Sequence, residues 1–312
     1  MERQLNIHPE MQEMIQAANF WPPQESLEGE RAFFSDFCLS LGRPRPREIT
    51  ADDYLLPGGD GDIAVRMYRP LAGPRDLPCV VFFHGGGWVF GGLDANDSIA
   101  WGLAEGIGAA VASVEYRLAP EHRYPAAFQD CYNVTRHIWR NPQEFSIDPK
   151  RIALAGEGSG GNLAAAVALA SRDRGEPEIC AEALVCPVLW ANLKLPSYEE
   201  NAEAPLLTKT EMKAYLKAYL GDVRGDIPGY GLPMLAEDLS SMPPTLVHTA
   251  QYDPLRDEGR IFAMRLRKSG TRTSFRTAAQ MTHGFMRARF AGPDSASEFR
   301  FVCDFLKRHL AG

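Results

Sequence analysis

The chain has 312 residues, of which 45% are hydrophobic and 23% charged, the usual range of a globular protein. That length suits one α/β domain with insertions, and it can bury roughly 75% of its unfolded surface, so the core needs no staples. The net charge of −7, from 33 basic and 40 acidic residues, gives no electrostatic reason to expect nucleic acid or an anionic membrane as partner.

The six cysteines are Cys38, Cys79, Cys131, Cys180, Cys186 and Cys303. None forms a C-x-x-C pair, and most sit in apolar runs, so free buried thiols in a reducing compartment are expected. Residues Met1-Glu2-Arg3-Gln4-Leu5-Asn6 carry no apolar signal segment, and no stretch reaches the ~18 apolar residues of a membrane span. The expectation is a soluble, cytoplasmic protein with no membrane insertion.

In chain order, Met11, Met14, Ile15 and Ala18 recur at helical spacing in 10–20, and Ala32, Phe33, Phe37 and Leu41 do so in 30–41. A connector around Pro44 and Pro46 follows. Residues 62–68 alternate, as an antiparallel edge strand would. Cys79-Val80-Val81-Phe82-Phe83 is continuously apolar, as a strand covered on both faces would be. Residues 109–114, 151–155, 183–185 and 245–248 repeat that signature. Helical patterns lie between them, at about 95–107, 125–140, 160–172 and 255–269. Strand alternating with helix predicts a mostly parallel sheet with helices on both faces. Residues 190–235 break the alternation with several Pro and Gly and one helix around 209–220. Such an insertion is more often a lid over a site than disorder.

Four segments carry chemistry. His84-Gly85-Gly86-Gly87 follows a buried strand, and its glycines let backbone N–H groups turn toward a ligand, where they can stabilise an oxyanion. Gly156-Glu157-Gly158-Ser159-Gly160-Gly161-Asn162 joins a strand to an Ala-rich helix through small residues. In a nucleophile elbow the residue at the apex takes a strained positive φ and lifts its side chain over the sheet. Gln251-Tyr252-Asp253-Pro254 and Met281-Thr282-His283-Gly284 each follow a later strand. A carboxylate and an imidazole so placed can meet at the carboxyl edge of a sheet, where Asp253 would orient His283 and stabilise its charged form.

These segments, with Tyr116-Arg117-Leu118-Ala119-Pro120-Glu121-His122 through Pro125-Ala126-Ala127 and Asn162-Leu163-Ala164-Ala165, resemble the hormone-sensitive-lipase-like esterases, also called bacterial family IV. The resemblance spans about residues 80–285. It implies an α/β-hydrolase fold with an eight-stranded sheet, a helical cap from residues 1–45 and about 190–235, and a catalytic domain over 46–312. It implies hydrolysis of short- to medium-chain carboxylic esters, a small-molecule substrate and no cofactor. A homodimer is mildly favoured. The catalytic positions would be 158, Asp253 and His283, with Gly85, Gly86, Gly87 and the N–H of Ser159 holding the oxyanion.

The family's elbow reads Gly-Asp-Ser-Ala-Gly-Gly, and here its third residue is Gly158. Ser159 occupies the next position, whose side chain should point away from His283. Glycine accepts the apex φ without strain, so the fold should tolerate it while the nucleophile is lost. Three explanations stay open. The chain is a nucleophile-less, inactive mutant form of an esterase. Or it is a natural non-hydrolase, with His283 as base in an elimination or cyclisation, or with a pocket that only binds. Or His283 activates a water where a serine side chain would stand. A different class is formally possible, because Gly156-x-Gly158-x-x-Gly161 matches the dinucleotide fingerprint, with Glu176 and Glu178 further on.

Other residues read more plainly. Glu121, His122 and Arg123 resemble that family's Pro-Glu-His turn, which implies that they prop the glycine loop. Trp88, Phe90 and Tyr116 would line a pocket or belong to the core, and Met11, Met14 and Trp21 would form an apolar cap wall. Asp94 and Asn96 suggest a helix N-cap, and Asp257 and Glu258 suggest carboxylates favoured by a helix dipole. His8, His122, His137 and His248 show no metal-ligand spacing, so no metal is expected.

Overall fold

The computed structural model describes residues 5–20, 24–221 and 229–311. Helices α1 (Gln12–Asn19) and α2 (Leu27–Leu41) come first, then strands β1 (Ile49–Pro57), β2 (Asp62–Pro70) and β3 (Leu77–Phe83). Helix α3 (Asp97–Ile107), strand β4 (Ala110–Val114), helix α4 (Ala126–Arg140), strand β5 (Ile147–Glu157), helix α5 (Ser159–Arg174) and strand β6 (Ala181–Val185) alternate. The short α6 (Pro196–Glu200) and α7 (Lys209–Leu220) interrupt. Strand β7 (Thr245–Tyr252), helix α8 (Arg256–Lys268), strand β8 (Thr273–Thr282) and helix α9 (Pro293–Leu310) follow.

The strands form one eight-stranded sheet in the order β1-β2-β4-β3-β5-β6-β7-β8. All pairs from β4 to β8 are parallel, and β2 alone runs against its neighbours. The expected mostly parallel α/β-hydrolase sheet is therefore present. One detail is corrected. β2 is antiparallel as expected but is not an edge, because β1 covers its outer side. Strands β1 and β8 are the true edges. Both are largely half-exposed, so they lack the continuous apolar runs that mark the interior strands.

Side chains alternate across each strand and build two core layers. Val80 and Phe82 of β3 pack with α3 and α9, whereas Cys79, Val81 and Phe83 pack with α4, α5 and α8. Helix α5 is buried nearly all round, which explains its Ala-rich sequence with no polar stripe. In α9, Phe299, Val302, Leu306 and Leu310 recur at three- and four-residue spacing and bury against the first layer. Helix α7 starts in a capping box, in which Thr208 accepts from the Glu211 N–H and Glu211 from the Thr208 N–H.

Strands β3, β5, β7 and β8 share one direction, so their C-terminal ends lie along one edge of the sheet. The first residue past each is His84, Gly158, Asp253 and His283 respectively. Ligands of open α/β sheets bind at that edge. Among the described residues, no helix is long and apolar enough to cross a membrane.

Candidate active site

Gly158 joins β5 to α5 with φ 57° and ψ −116°. Glycine takes this conformation freely, whereas a residue with a β-carbon is strained in it. Its N–H donates to the Val185 carbonyl at 2.9 Å, and its carbonyl accepts from Asn162 and Val188, both at 3.1 Å. The helix start is pressed onto the strands. A β-carbon on Gly160 would stand 1.9 Å from the Phe83 carbonyl oxygen, so only glycine fits there. At Gly158, in contrast, a β-carbon has room. It would stand 3.3 Å from Nε2 and 3.5 Å from Cε1 of His283.

His283 Nδ1 lies 2.9 Å from Oδ2 of Asp253. Asp253 is fully buried, and its Oδ1 accepts from the Leu255 N–H at 2.8 Å. The side-chain amide of Asn201 holds the Asp253 carbonyl at 3.1 Å. Each carboxylate oxygen of Asp253 thus has a hydrogen-bond partner, which orients the ring facing it. Burial alone lowers the His283 pKa, but the charge and hydrogen bond of Asp253 outweigh it, with help from Glu157 and Glu211. The net effect is upward from the ordinary histidine value.

The glycine loop lies beside the elbow. Gly86 has φ 123° and Gly87 φ 61°, and the Gly86 carbonyl accepts from Val89 and Phe90 at 3.0 and 2.9 Å. No acceptor among the described residues takes the N–H of Gly86, Gly87 or Ser159. Gly85 lies deeper, where a β-carbon would stand 3.1 Å from the Glu157 carbonyl oxygen. Its carbonyl accepts from His84 Nδ1 at 2.9 Å. Burial lowers His84 to about 4, so its ring is neutral at pH 7, and it stacks on Tyr116 at 4.2 Å.

Ser159 is buried against Tyr116, and no hydrogen bond joins its hydroxyl to His283 among the described residues. Sequence reasoning passed over Cys186. It is buried with φ 43° at the end of β6, and its sulfur lies within 4.8 Å of donor atoms of Asp253 and His283. Burial, with the carboxylates of Asp253 and Glu157, keeps this thiol protonated, so it is no substitute nucleophile. Nothing in the spacing around Cys186 marked it, because only the fold brings β6 beside β7. Cys186, Asp253 and His283 are also a donor set that could hold a metal, but His283 Nδ1 is engaged with Asp253 and the Cys186 sulfur is held as a thiol, whereas a metal takes a thiolate.

A cavity of about 850 Å³ opens above these groups. Its walls come from α1 and α2 (Met14, Ile15, Phe34), from residues 203–215 including Tyr215, and from the glycine loop, with Gly158 and His283 at its floor.

A family model described as alpha/beta hydrolase fold matches residues 80–287. The chain belongs to the α/β-hydrolase fold family. Carboxylesterase NlhH of Mycobacterium tuberculosis is 39% identical over 87% of this chain and 90% of its own length. The hyperthermophilic esterase of the archaeon Pyrobaculum calidifontis superposes with a TM-score of 0.89 at 34% identity, covering 97% of this chain and 98% of its own. The esterase rPPE, solved as a serine-to-alanine mutant complexed with (S)-Ac-CPA, gives a TM-score of 0.92 at 29% identity over 99% of both chains. Within the α/β-hydrolases, then, this chain is a hormone-sensitive-lipase-like member of the carboxylesterase family.

In this α/β-hydrolase several lesser expectations are refined. Glu121 supports the glycine loop through Arg31 of α2. Arg31 pairs with Glu121 at 2.7 Å and donates to the carbonyls of Val89 and Ala119, both at 2.9 Å. Phe90 and Met14 line the cavity, whereas Trp88, stacked on Tyr219, and Tyr116 and Met11 are core. Trp21 lies outside the described residues. Asn96 stands at the N-cap position of α3 as expected, but its side chain makes no cap hydrogen bond, and Asp94 lies outside the helix start. Asn96 instead bridges the Gly92 carbonyl and Arg287, and Asp94 pairs with Arg66. Asp257 and Glu258 both lie in the first turn of α8, as expected. Burial pushes the Glu258 carboxyl well up, and it also tethers the chain beyond β6 by accepting from the Leu189 N–H at 3.2 Å.

Proposed function

We propose that this chain is a carboxylesterase without its nucleophile, one that binds short- to medium-chain esters in the cavity and forms no acyl-enzyme. The observation that carries this reading is the direction of the Gly158 β-carbon, 3.3 Å from His283 Nε2. With serine there, Oγ would attack the ester carbonyl, His283 Nε2 would take its proton, and Asp253 would stabilise the imidazolium. The N–H groups of Gly86, Gly87 and Ser159 would hold the oxyanion, with Gly85 anchoring the loop beneath them. Without it, binding survives and the covalent step does not.

The residues at 1–45 and about 190–235 would act as the cap that sets acyl and alcohol preference, since α1, α2 and 203–215 wall the cavity. Buried cysteines support a reducing, cytoplasmic setting. The half-exposed edge strand β8 leaves room for a homodimer. The dinucleotide alternative has less support. A β-carbon on Gly156 would strike the Gly160 carbonyl at 2.1 Å, so these glycines serve helix-on-strand packing. Titration with NAD(H) should give no binding.

The test is turnover of p-nitrophenyl butyrate by the chain and by Gly158→Ser. A gain of several orders of magnitude supports the reading. No gain in a folded variant overturns it in favour of a non-hydrolytic member with His283 as base. Turnover already present in the chain, and lost in His283→Ala, would point to a water activated by His283.

A further inference from the structure

Resting on that ester-pocket reading, we propose that the cavity selects esters carrying an ammonium group, a quaternary or protonated amine, over neutral and anionic ones.

Four carboxylates line the cavity: Glu30 of α2, Glu157 at the floor, Glu203, and Glu211 of α7. Among the described residues, none of them pairs with a lysine or arginine. Among the described residues the lining holds one arginine, Arg287, and it is already engaged. Its Nη1 donates to the Ala95 carbonyl at 2.9 Å, its Nη2 to Asn96 Oδ1 at 2.6 Å, and its guanidinium lies over Phe34 at 5.8 Å. The nearby cations Arg31 and Lys209 are paired with Glu121 and Glu199. Among the described residues, His283 is the other basic group of the lining, and it is paired with Asp253, so the four glutamates outnumber the positive groups left to neutralise them.

A second, independent observation comes from the floor. Glu157 is 3% exposed, and its Oε1 has no hydrogen-bond partner. A buried carboxylate oxygen left without a donor is expensive, and a cation beside it offsets that cost, a protonated amine by donating a hydrogen bond and a quaternary ammonium by its charge alone.

The wall adds the third. The Tyr215 ring lies over Gly87, where a β-carbon would meet it at 2.5 Å. Phe90 meets Tyr215 edge-on at 5.9 Å and stacks on Phe34 at 5.5 Å. Glu30 and Glu211 lie near enough to Tyr215 to reinforce the upward pressure that burial puts on its hydroxyl. Aromatic faces beside unpaired carboxylates are the chemistry that recognises a substituted ammonium. The rings take its apolar methyl groups and attract its charge, and the carboxylates neutralise it. An anionic ester would meet repulsion from the same groups.

The experiment is isothermal titration of the chain as it stands with butyrylcholine and with its uncharged isostere, 3,3-dimethylbutyl butyrate. The expected result is tighter binding of butyrylcholine by about tenfold or more, shrinking as salt is added. In the folded double variant Glu30→Gln/Glu211→Gln, which keeps an acceptor for the Thr208 cap, that preference should fall at least severalfold. Equal binding of the two esters overturns the ammonium preference and leaves the ester pocket standing. Binding of neither overturns the ester-pocket reading itself, and this inference with it.

Discussion

A β-carbon on Gly158 would stand 3.3 Å from Nε2 of His283, while Nδ1 of the same ring lies 2.9 Å from Asp253 Oδ2. The imidazole thus lies between a buried carboxylate and the position from which a nucleophile would be raised. Its environment is that of a base whose proton donor is missing from the chain.

Stability and activity should move in opposite directions at position 158. Both Gly158→Ser and Gly158→Ala place a β-carbon on a backbone at φ 57°, ψ −116°. Each should lose about 1–3 kcal/mol of unfolding free energy in urea titrations. Only the serine variant should gain esterase activity. Equal stability of all three proteins would show that the elbow carries no strain.

Ser159 should be dispensable as a nucleophile. Ser159→Ala in the Gly158→Ser background should keep kcat within about threefold, because the contribution assigned to residue 159 is its backbone N–H. A loss of activity approaching that of His283→Ala would give the hydroxyl a chemical role.

The pH dependence of Gly158→Ser should carry the mark of Asp253. The base must be neutral to accept a proton, and the net shift of His283 is upward from 6.5. The acid limb of kcat/KM should therefore lie above that ordinary value, with activity falling as pH drops through it. Asp253→Asn should lower kcat by about 10⁴ and remove the largest upward pull on the limb, leaving the smaller ones of Glu157 and Glu211. An unshifted limb in the parent background would contradict the coupling.

Glu182 offers a stability test away from the site. It is fully buried, accepts from Thr245 Oγ1 at 2.7 Å, and is pushed by burial to about 8 against a reference of 4.5. The folded state then holds this proton more tightly than the unfolded state. The associated stability is fully present below pH 4.5 and declines as pH rises toward 8. Glu182→Gln keeps an acceptor for Thr245 and should flatten that decline in thermal melts between pH 5 and 8. A slope unchanged from the parent would mean that Glu182 ionises normally.

Local chemistry determined much of this from sequence alone. Apolar runs such as 79–83 specify strands buried on both faces, and a glycine-rich turn between strand and Ala-rich helix specifies an elbow, because few other residues satisfy those backbone demands. The order of elbow, Asp253 and His283 along the chain was enough to expect their meeting. Tertiary structure decided what depends on neighbours. Whether β2 is an edge hangs on where β1 pairs, and the half-exposed β1 and β8 carry too weak a pattern to say. Asn96, Glu258 and Cys186 owe their roles to groups 191, 69 and 67 residues away, namely Arg287, Leu189 and Asp253. No spacing rule reaches that far. The identity of residue 158 is plain in the sequence, but only the folded backbone gives the direction its side chain would take, and that direction leads to His283.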